Sequence, residues 1–308
     1  MSKAQRETSL KSHKRIFYTN ITYGCNSSCV FCYSHNTKHT RNTYDEIPKD
    51  SLVEYWDRMY VSENDRIIIN GGEPLLHTEF NEIITAAHKY GCEILIYTNG
   101  RLLNTLETTM LDEHCRFVVP MHGHEKLHDE ITRVQGSYRE TMEGIRHISE
   151  SGCLVDLKVI INYSMAINQD DYIRTEEALI QLPDINAVHI TKMADTIISQ
   201  RNKCPSVTPD MSSSCTKKLY DLFRDKCIVK IFDTCIGEIV EATSFELSEM
   251  DQIISVYFKD AQHEFDVDLE KPYLNCMETC DFKNICQSAV GEYTVLEIKK
   301  GRFSVGLE

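Results

Sequence analysis

The chain has 308 residues, a formal net charge of −14 and 42% hydrophobic residues. That length suits one barrel-sized domain or a large domain with a small one, and the acidity speaks against a nucleic-acid partner, whose phosphates demand cations. No run of eighteen apolar residues and no apolar signal segment is found, so no membrane span and a cytoplasmic location are expected.

Residues 1–13 read as an N-terminal tail. Short β-branched and aromatic runs then predict strands at 15–22 (RIFYTNIT), 66–70, 93–98, 116–121, 154–162 and 186–191. Helical periodicity lies between them. Leu52, Tyr55, Trp56 and Met59 keep one face, as do Phe80, Ile83, Ile84 and Ala87. Ser137 with Glu140 has capping-box spacing, Met142, Ile145 and Ile148 follow on one face, and Gly152 sits where a helix-ending glycine belongs. A further helix is expected over 170–182. Alternating strands and helices imply a parallel sheet with right-handed crossovers. Six repeats predict an α/β fold, a partial (β/α)6 TIM-like barrel over 14–200, with chemistry at the C-terminal ends of its strands. Residues 201–308 read as a second, smaller domain, with a helix near 214–226 and a hairpin around Gly237.

Thirteen cysteines without an export signal read as ligands or core residues rather than disulfides. Cys92, Cys115, Cys153, Cys204, Cys215, Cys227 and Cys235 are scattered, and a scattered cysteine is usually a small core residue. Two triplets stand apart: Cys25, Cys29 and Cys32 near the start, and Cys276, Cys280 and Cys286 near the end. The first follows the first strand. Three thiolates can hold three irons of a [4Fe–4S] cluster and leave the fourth open. The alternative is a zinc knuckle that takes His35 or His39 as its fourth ligand.

The spacing Cys-x3-Cys-x2-Cys, with Phe31 before the last cysteine, resembles the signature of radical SAM enzymes. Asn70-Gly71-Gly72-Glu73-Pro74 after the second strand is similar to the family's GGEP segment. Thr98-Asn99-Gly100 after the third is a frequent family element. VPMHGHEKLHDEITRVQGSYRETMEGI after the fourth resembles a further family stretch. The resemblance covers about residues 14–200. It implies S-adenosylmethionine chelated to the open iron of a [4Fe–4S] cluster on Cys25, Cys29 and Cys32. It further implies cofactor contacts from Phe31 (adenine), Gly71, Gly72 and Glu73 (methionine amine), Arg133 (methionine carboxylate), and Thr98, Asn99 and His122. His122 stands where many relatives carry an acidic residue. Asn162, Lys158 and His189 are alternatives for cofactor contact by strand position. No residue is assigned a catalytic role beyond these.

Cys276-x3-Cys280-x5-Cys286 is similar to the core of the C-terminal extensions called SPASM and twitch domains, with the spacing off by one residue. That implies one auxiliary [4Fe–4S] cluster within 201–308. Cys235 is the favoured fourth ligand, with Cys227, Cys215 and Cys204 as competitors. The resemblance implies a peptide-modifying oxidoreductase that acts by crosslinking, oxidation or epimerisation. It would be served by a flavodoxin- or ferredoxin-type electron donor. About fourteen residues precede the first strand, so leader recognition is expected to need a separate leader-peptide-binding protein or the barrel itself. The alternatives are a small-molecule dehydrogenase of the aminocyclitol type and, more remotely, a non-catalytic electron-transfer or metal-binding module.

Overall fold

The computed structural model describes residues 15–32, 46–108, 111, 114–193, 197–232, 252–258, 293–299 and 302–305. Strands β1 (Arg15–Thr22), β2 (Arg66–Gly71), β3 (Glu93–Tyr97), β4 (Cys115–Met121), β5 (Leu154–Ile161) and β6 (Ala187–Lys192) lie side by side in chain order and all pair in parallel. This is the expected α/β open barrel. β7 (Ile228–Phe232) extends it beyond residue 200 by pairing in parallel with β6. β8 (Gln252–Phe258) returns to the opposite edge and pairs in parallel with β1, followed outward by β9 (Tyr293–Lys299) and an antiparallel β10 (Arg302–Val305).

The helices are α1 (Lys49–Arg58), α2 (Phe80–Ala87), α3 (Glu125–Thr132), α4 (Ser137–Glu150), α5 (Tyr163–Ile167), α6 (Gln169–Ile180), α7 (Ile197–Arg201) and α8 (Pro209–Phe223). Their apolar stripes cover one face of the sheet. Trp56, Ile83, Ile84, Ile145 and Leu219 are buried against Phe17, Ile67, Ile94, Phe117 and Leu157 in one contiguous core. Strands covered on that face by helices carry near-continuous Ile and Val, as parallel strands do. α8 begins five residues before the expected 214 because Thr208 caps it, accepting from Met211 N at 3.3 Å, and Pro209 opens its first turn. The hairpin expected around Gly237 lies outside the described residues.

One local expectation is corrected. Ser137 is not an N-cap: Gly136, at φ +85°, holds that place and Ser137 is the first helical residue of α4. The capping duty falls to Asp129 on α3. Its carboxylate accepts from Gly136 N at 2.6 Å, Tyr138 N at 2.8 Å and Ser137 Oγ at 2.9 Å. A carboxylate so placed satisfies amides that helix geometry leaves open and suits the positive end of the dipole. Burial works to raise its pKa, but these donors hold it below the ordinary carboxylate value. Gly152 does follow the helix end, at φ +84°.

The inner face of the sheet is different. Ile68, Leu95 and Val118 form a small apolar layer with Ile16, Tyr18 and Tyr97. Toward the N-terminal ends of the strands this gives way to charge. Arg66 pairs with Glu93 at 2.6 Å, Glu93 with Arg116 at 3.0 Å, and Arg116 with Asp156 at 3.6 Å. Asp156 is fully buried and also meets His189 at 3.0 Å, Lys230 at 3.6 Å and Asn186 Nδ2 at 2.7 Å. Burial works to raise the Asp156 pKa, yet the hydrogen bond from His189 and the neighbouring cations hold it well below normal.

Candidate active site

The cysteine loop leaves β1 at Thr22 and is fixed from two sides. The turn after β2 grips its start: Gly72 N donates to Thr22 O at 2.8 Å and Glu73 N to Gly24 O at 2.7 Å. The end of α3 grips its middle, where Ser28 N donates to Thr132 O at 3.0 Å and Val30 N to Ile131 O at 2.9 Å. Asn202 Nδ2 closes on Val30 O at 2.7 Å from a third element.

This geometry explains the two glycines. A Cβ on Gly71 would stand 2.1 Å from Thr22 O, and one on Gly72 would stand 2.2 Å from Gly24 O. Gly71 also has φ +142°, a conformation L side chains rarely adopt. The close approach they permit is that of the β2 turn to the backbone leading into the cysteine loop.

Glu73 is fully buried and spans the turns after β2 and β3. It accepts from Thr98 Oγ1 at 2.7 Å, Asn99 N at 2.7 Å and Leu75 N at 3.1 Å. Burial raises its pKa in spite of those donors. Its carboxylate thereby holds the Thr98–Asn99 turn against the cysteine loop. Asn99 Nδ2 in turn reaches Asn26 Oδ1 at 2.6 Å and Cys25 Sγ at 3.9 Å, and Ser27 N donates to Cys25 Sγ at 3.4 Å.

Phe31 closes the loop against β4. Its ring meets that of His122 edge-on, with centroids 5.3 Å apart at 86°. His122 is buried, its ring lies 5.1 Å from that of His128, and its Nδ1 has no hydrogen-bond partner. Burial first, then His128 and Lys158, push its pKa well below 6.5, so the ring is neutral. Asn162 joins the ends of β4 and β5. It donates to His122 O at 2.7 Å and caps α5 by accepting from Met165 N at 3.1 Å. Arg133 sits at φ +57° at the C-cap of α3, and its Nη2 donates to Asn202 Oδ1 at 2.6 Å on an exposed surface. Farther down the inner face, Lys158 lies 5.8 Å over the Tyr97 ring and His189 is engaged with Asp156.

The donor set fits an iron–sulfur cluster. The three thiols are partly buried and feel one another electrostatically. Burial pushes Cys25 up to about 12 and raises Cys29 as well, so on their own they are neutral thiols. A bound metal centre would supply the positive charge that strips those protons, and the donors aimed at Cys25 Sγ suit a thiolate. Among the described residues no three His, Cys, Asp or Glu side chains stand close enough to hold a single metal ion. A cubane cluster binds each cysteine at a different iron and spreads them wider than one ion's shell. The histidines of the zinc alternative, His35 and His39, lie outside the described residues. So do Cys235, Cys276, Cys280 and Cys286. Of their competitors, Cys215 and Cys227 are buried in the core, with Cys215 Sγ donating to Met165 O at 3.2 Å, and Cys204 Sγ donates to Val30 O at 3.6 Å.

Two contributors escape sequence reasoning. Arg101 follows the Thr-Asn-Gly turn directly; its Nη1 donates to Asn26 O and, at 3.2 Å, to Ser27 Oγ, while its Nε meets Glu140 of α4. Asp129 orders the turn from α3 to α4, as described above. Adjacency to a motif is the one signal that could have marked Arg101.

An α/β partial barrel with its strand-end turns converging on a three-cysteine loop defines a class of S-adenosylmethionine enzyme. The profile of the family described as the Radical SAM superfamily matches residues 19–178, and the chain belongs to that superfamily. Among curated proteins it is similar to the sporulation killing factor maturation protein SkfB of Bacillus subtilis, with 25% identity over 50% of this chain and 37% of that protein. It is also similar to the Fe-coproporphyrin III synthase of Methanosarcina barkeri, with 25% identity over 49% of this chain and 38% of that protein. The match thus spans under two fifths of the length of both relatives. Among solved structures, Streptococcus suis SuiB bound to S-adenosylmethionine shares the fold. Its TM-score is 0.58 at 12% identity, covering 80% of this chain and 59% of that one. No helix among the described residues is long and apolar enough to cross a membrane.

Proposed function

We propose that this protein cleaves S-adenosylmethionine reductively and uses the 5′-deoxyadenosyl radical to take a hydrogen atom from a peptide, leading to a crosslink, an oxidation or an epimerised residue. The observation that carries this reading is the docking of the β2 and β3 turns onto the cysteine loop through Glu73 and Asn99, which holds the loop in place. Membership of the superfamily implies the cluster and S-adenosylmethionine.

When bound, the cluster supplies the electron that splits the sulfonium. The chain's own residues do the rest. Cys25, Cys29 and Cys32 hold the irons, and Ser27 N with Asn99 orients Cys25. Phe31 gives an apolar wall for the adenine. Neutral His122 offers its unpartnered Nδ1 to a hydroxyl of the ribose, which replaces the acidic residue many relatives use. Asn162 keeps the β4 end in register for that contact, and backbone groups of Gly71 and Gly72 would hold the methionine amine. Arg133 would have to leave Asn202 to pair with the methionine carboxylate.

The peptide assignment draws support from SkfB, named a maturation protein, and from the fold shared with SuiB, also solved bound to its precursor peptide SuiA. An auxiliary domain within residues 201–308 would carry one further [4Fe–4S] cluster on Cys276, Cys280, Cys286 and Cys235. That cluster would accept the electron released as substrate is oxidised. A flavodoxin- or ferredoxin-type protein would feed the first cluster, and a separate protein would present a leader peptide. A second reading, a small-molecule radical SAM enzyme, draws on relatives named Fe-coproporphyrin III synthase and probable GTP 3',8-cyclase.

The test is anaerobic reconstitution, reduction with dithionite and chromatography for 5′-deoxyadenosine. Formation of 5′-deoxyadenosine is expected, and none from a cluster-loaded sample would overturn the reading. Mass spectrometry of a precursor peptide encoded beside this gene, against small-molecule candidates, then separates the two substrate classes.

A further inference from the structure

Arg101 places a guanidinium directly behind the cysteine loop. Its side chain is 13% exposed. It touches both Asn26 and Ser27, two of the three residues between Cys25 and Cys29, and it is anchored on its far side by Glu140, whose side chain is 45% exposed. The neighbouring Asn99 also ties the turn to the loop, through Asn26 Oδ1 and Cys25 Sγ. The buried carboxylate of Glu73, which accepts from Asn99 N at 2.7 Å, also feels the Arg101 charge. The guanidinium thus stands between the loop and a more solvated anion, Glu140.

A cluster that takes up one electron becomes more negative by one charge, so a nearby cation stabilises the reduced form and raises the potential. Net charge and hydrogen bonding around the sulfurs are the protein's levers on that quantity. We propose that Arg101 is a positioning residue that sets the one-electron potential of the cluster on Cys25, Cys29 and Cys32, with Glu140 as its electrostatic counterweight. The step is a single electron taken from an external one-electron reductant, with no proton and no bond to the protein made or broken. The inference rests on the functional reading above.

The experiment is a redox titration followed by electron paramagnetic resonance. It uses the reconstituted full chain and its Arg101→Gln, Arg101→Lys and Glu140→Gln variants, with dithionite as reductant. The relevant signal is the one that changes shape when S-adenosylmethionine is added, which separates the open-iron cluster from any other. Arg101→Gln is expected to lower the reduced-to-oxidised ratio at fixed potential roughly tenfold, about 59 mV for one electron. Glu140→Gln is expected to move it the opposite way and by less, because water screens an exposed charge. Arg101→Lys keeps the charge and is expected to stay near the wild type. A merely structural role moves Arg101→Gln and Glu140→Gln in the same direction, or neither, and either result overturns the proposal. If Arg101→Gln takes up no cluster, Glu140→Gln decides alone: an upward shift supports the proposal and an unmoved potential overturns it. A wild-type chain that holds no such cluster at all overturns the functional reading, and this inference with it.

Discussion

The two ends of the sheet's inner face solve opposite problems. At the N-terminal ends of the strands, Arg66, Glu93, Arg116, Asp156 and Lys230 are joined in a network of ion pairs. At the C-terminal ends charge is sparser and tied into the turns, as Glu73 and Arg101 are, and the ring atom His122 Nδ1 is buried without a hydrogen bond. Buried charge costs several kcal/mol per ion unless it is paired, so the network matters first to the fold. A buried polar atom left open costs too, and chemistry is where such a cost is tolerated. The difference predicts that damage at the floor will be read in stability and damage at the rim in activity.

The largest effect is expected from Cys29→Ala. It removes one thiolate, and 5′-deoxyadenosine formation should vanish while the melting temperature of the apo-protein stays near the wild type. Measurable 5′-deoxyadenosine from that variant would put the cluster elsewhere. At the floor, Asp156→Ala strands Arg116, Lys230, His189 and Asn186 at once. Removing one partner of a buried ion pair costs about 3–5 kcal/mol, so urea unfolding should show a loss of that order. An unchanged midpoint would mean that the network is dispensable.

Acid should sharpen the contrast further. His128 is buried, and burial first, against the pull of Asp129, lowers its pKa to about 4. The group favours its neutral form in the fold. Its contribution is therefore complete above the unfolded value of 6.5 and is lost as pH falls from there through the folded value near 4. The full loss is about 3 kcal/mol. Thermal melts between pH 7 and pH 4 should show it, and His128→Gln should flatten the slope; an equal slope in that variant would assign the effect to other groups. The smallest effect is expected from Glu73→Gln. The amide offers N–H where Thr98 Oγ1 or Asn99 N also donates, so a buried donor loses its acceptor at a cost of about 1–3 kcal/mol. Cluster loading per folded molecule, measured by iron content, should fall with it, because the Asn99 turn loses its hold on the loop. Full loading would show that the β3 turn is held without that carboxylate.

Much of the rim is legible in the chain alone. The strand carrying RIFYTNIT ends where expected, and the cysteine loop, the Gly-Gly-Glu-Pro turn and the Thr-Asn-Gly turn follow successive strands. What the turns do to one another is not legible. Glu73 reads in the sequence as a carboxylate for an ammonium, and nothing in the sequence marks that it also accepts from Thr98 and Asn99, twenty-five and twenty-six residues away. Ser137 has the spacing of a cap, but Asp129 from the preceding helix wins because a carboxylate can accept from several donors at once. Arg101 carries no pattern of its own, since its partners Asn26 and Glu140 become neighbours only when three strand ends meet.

The sequence by itself determined the parallel α/β order, the helix-facing core and the three thiols on one short loop. Each of these rests on local propensity, on periodicity or on residues close together in the chain. Only the tertiary structure decided that β7 would extend the barrel past β6 while β8 returned to pair with β1. It alone decided that three cations and two carboxylates would pair beneath the apolar layer, and that Glu73, Asn99 and Arg101 would brace the cysteine loop from behind. Those choices depend on partners far apart along the chain, and a hydrogen bond or ion pair exists only once folding has brought its two ends within reach.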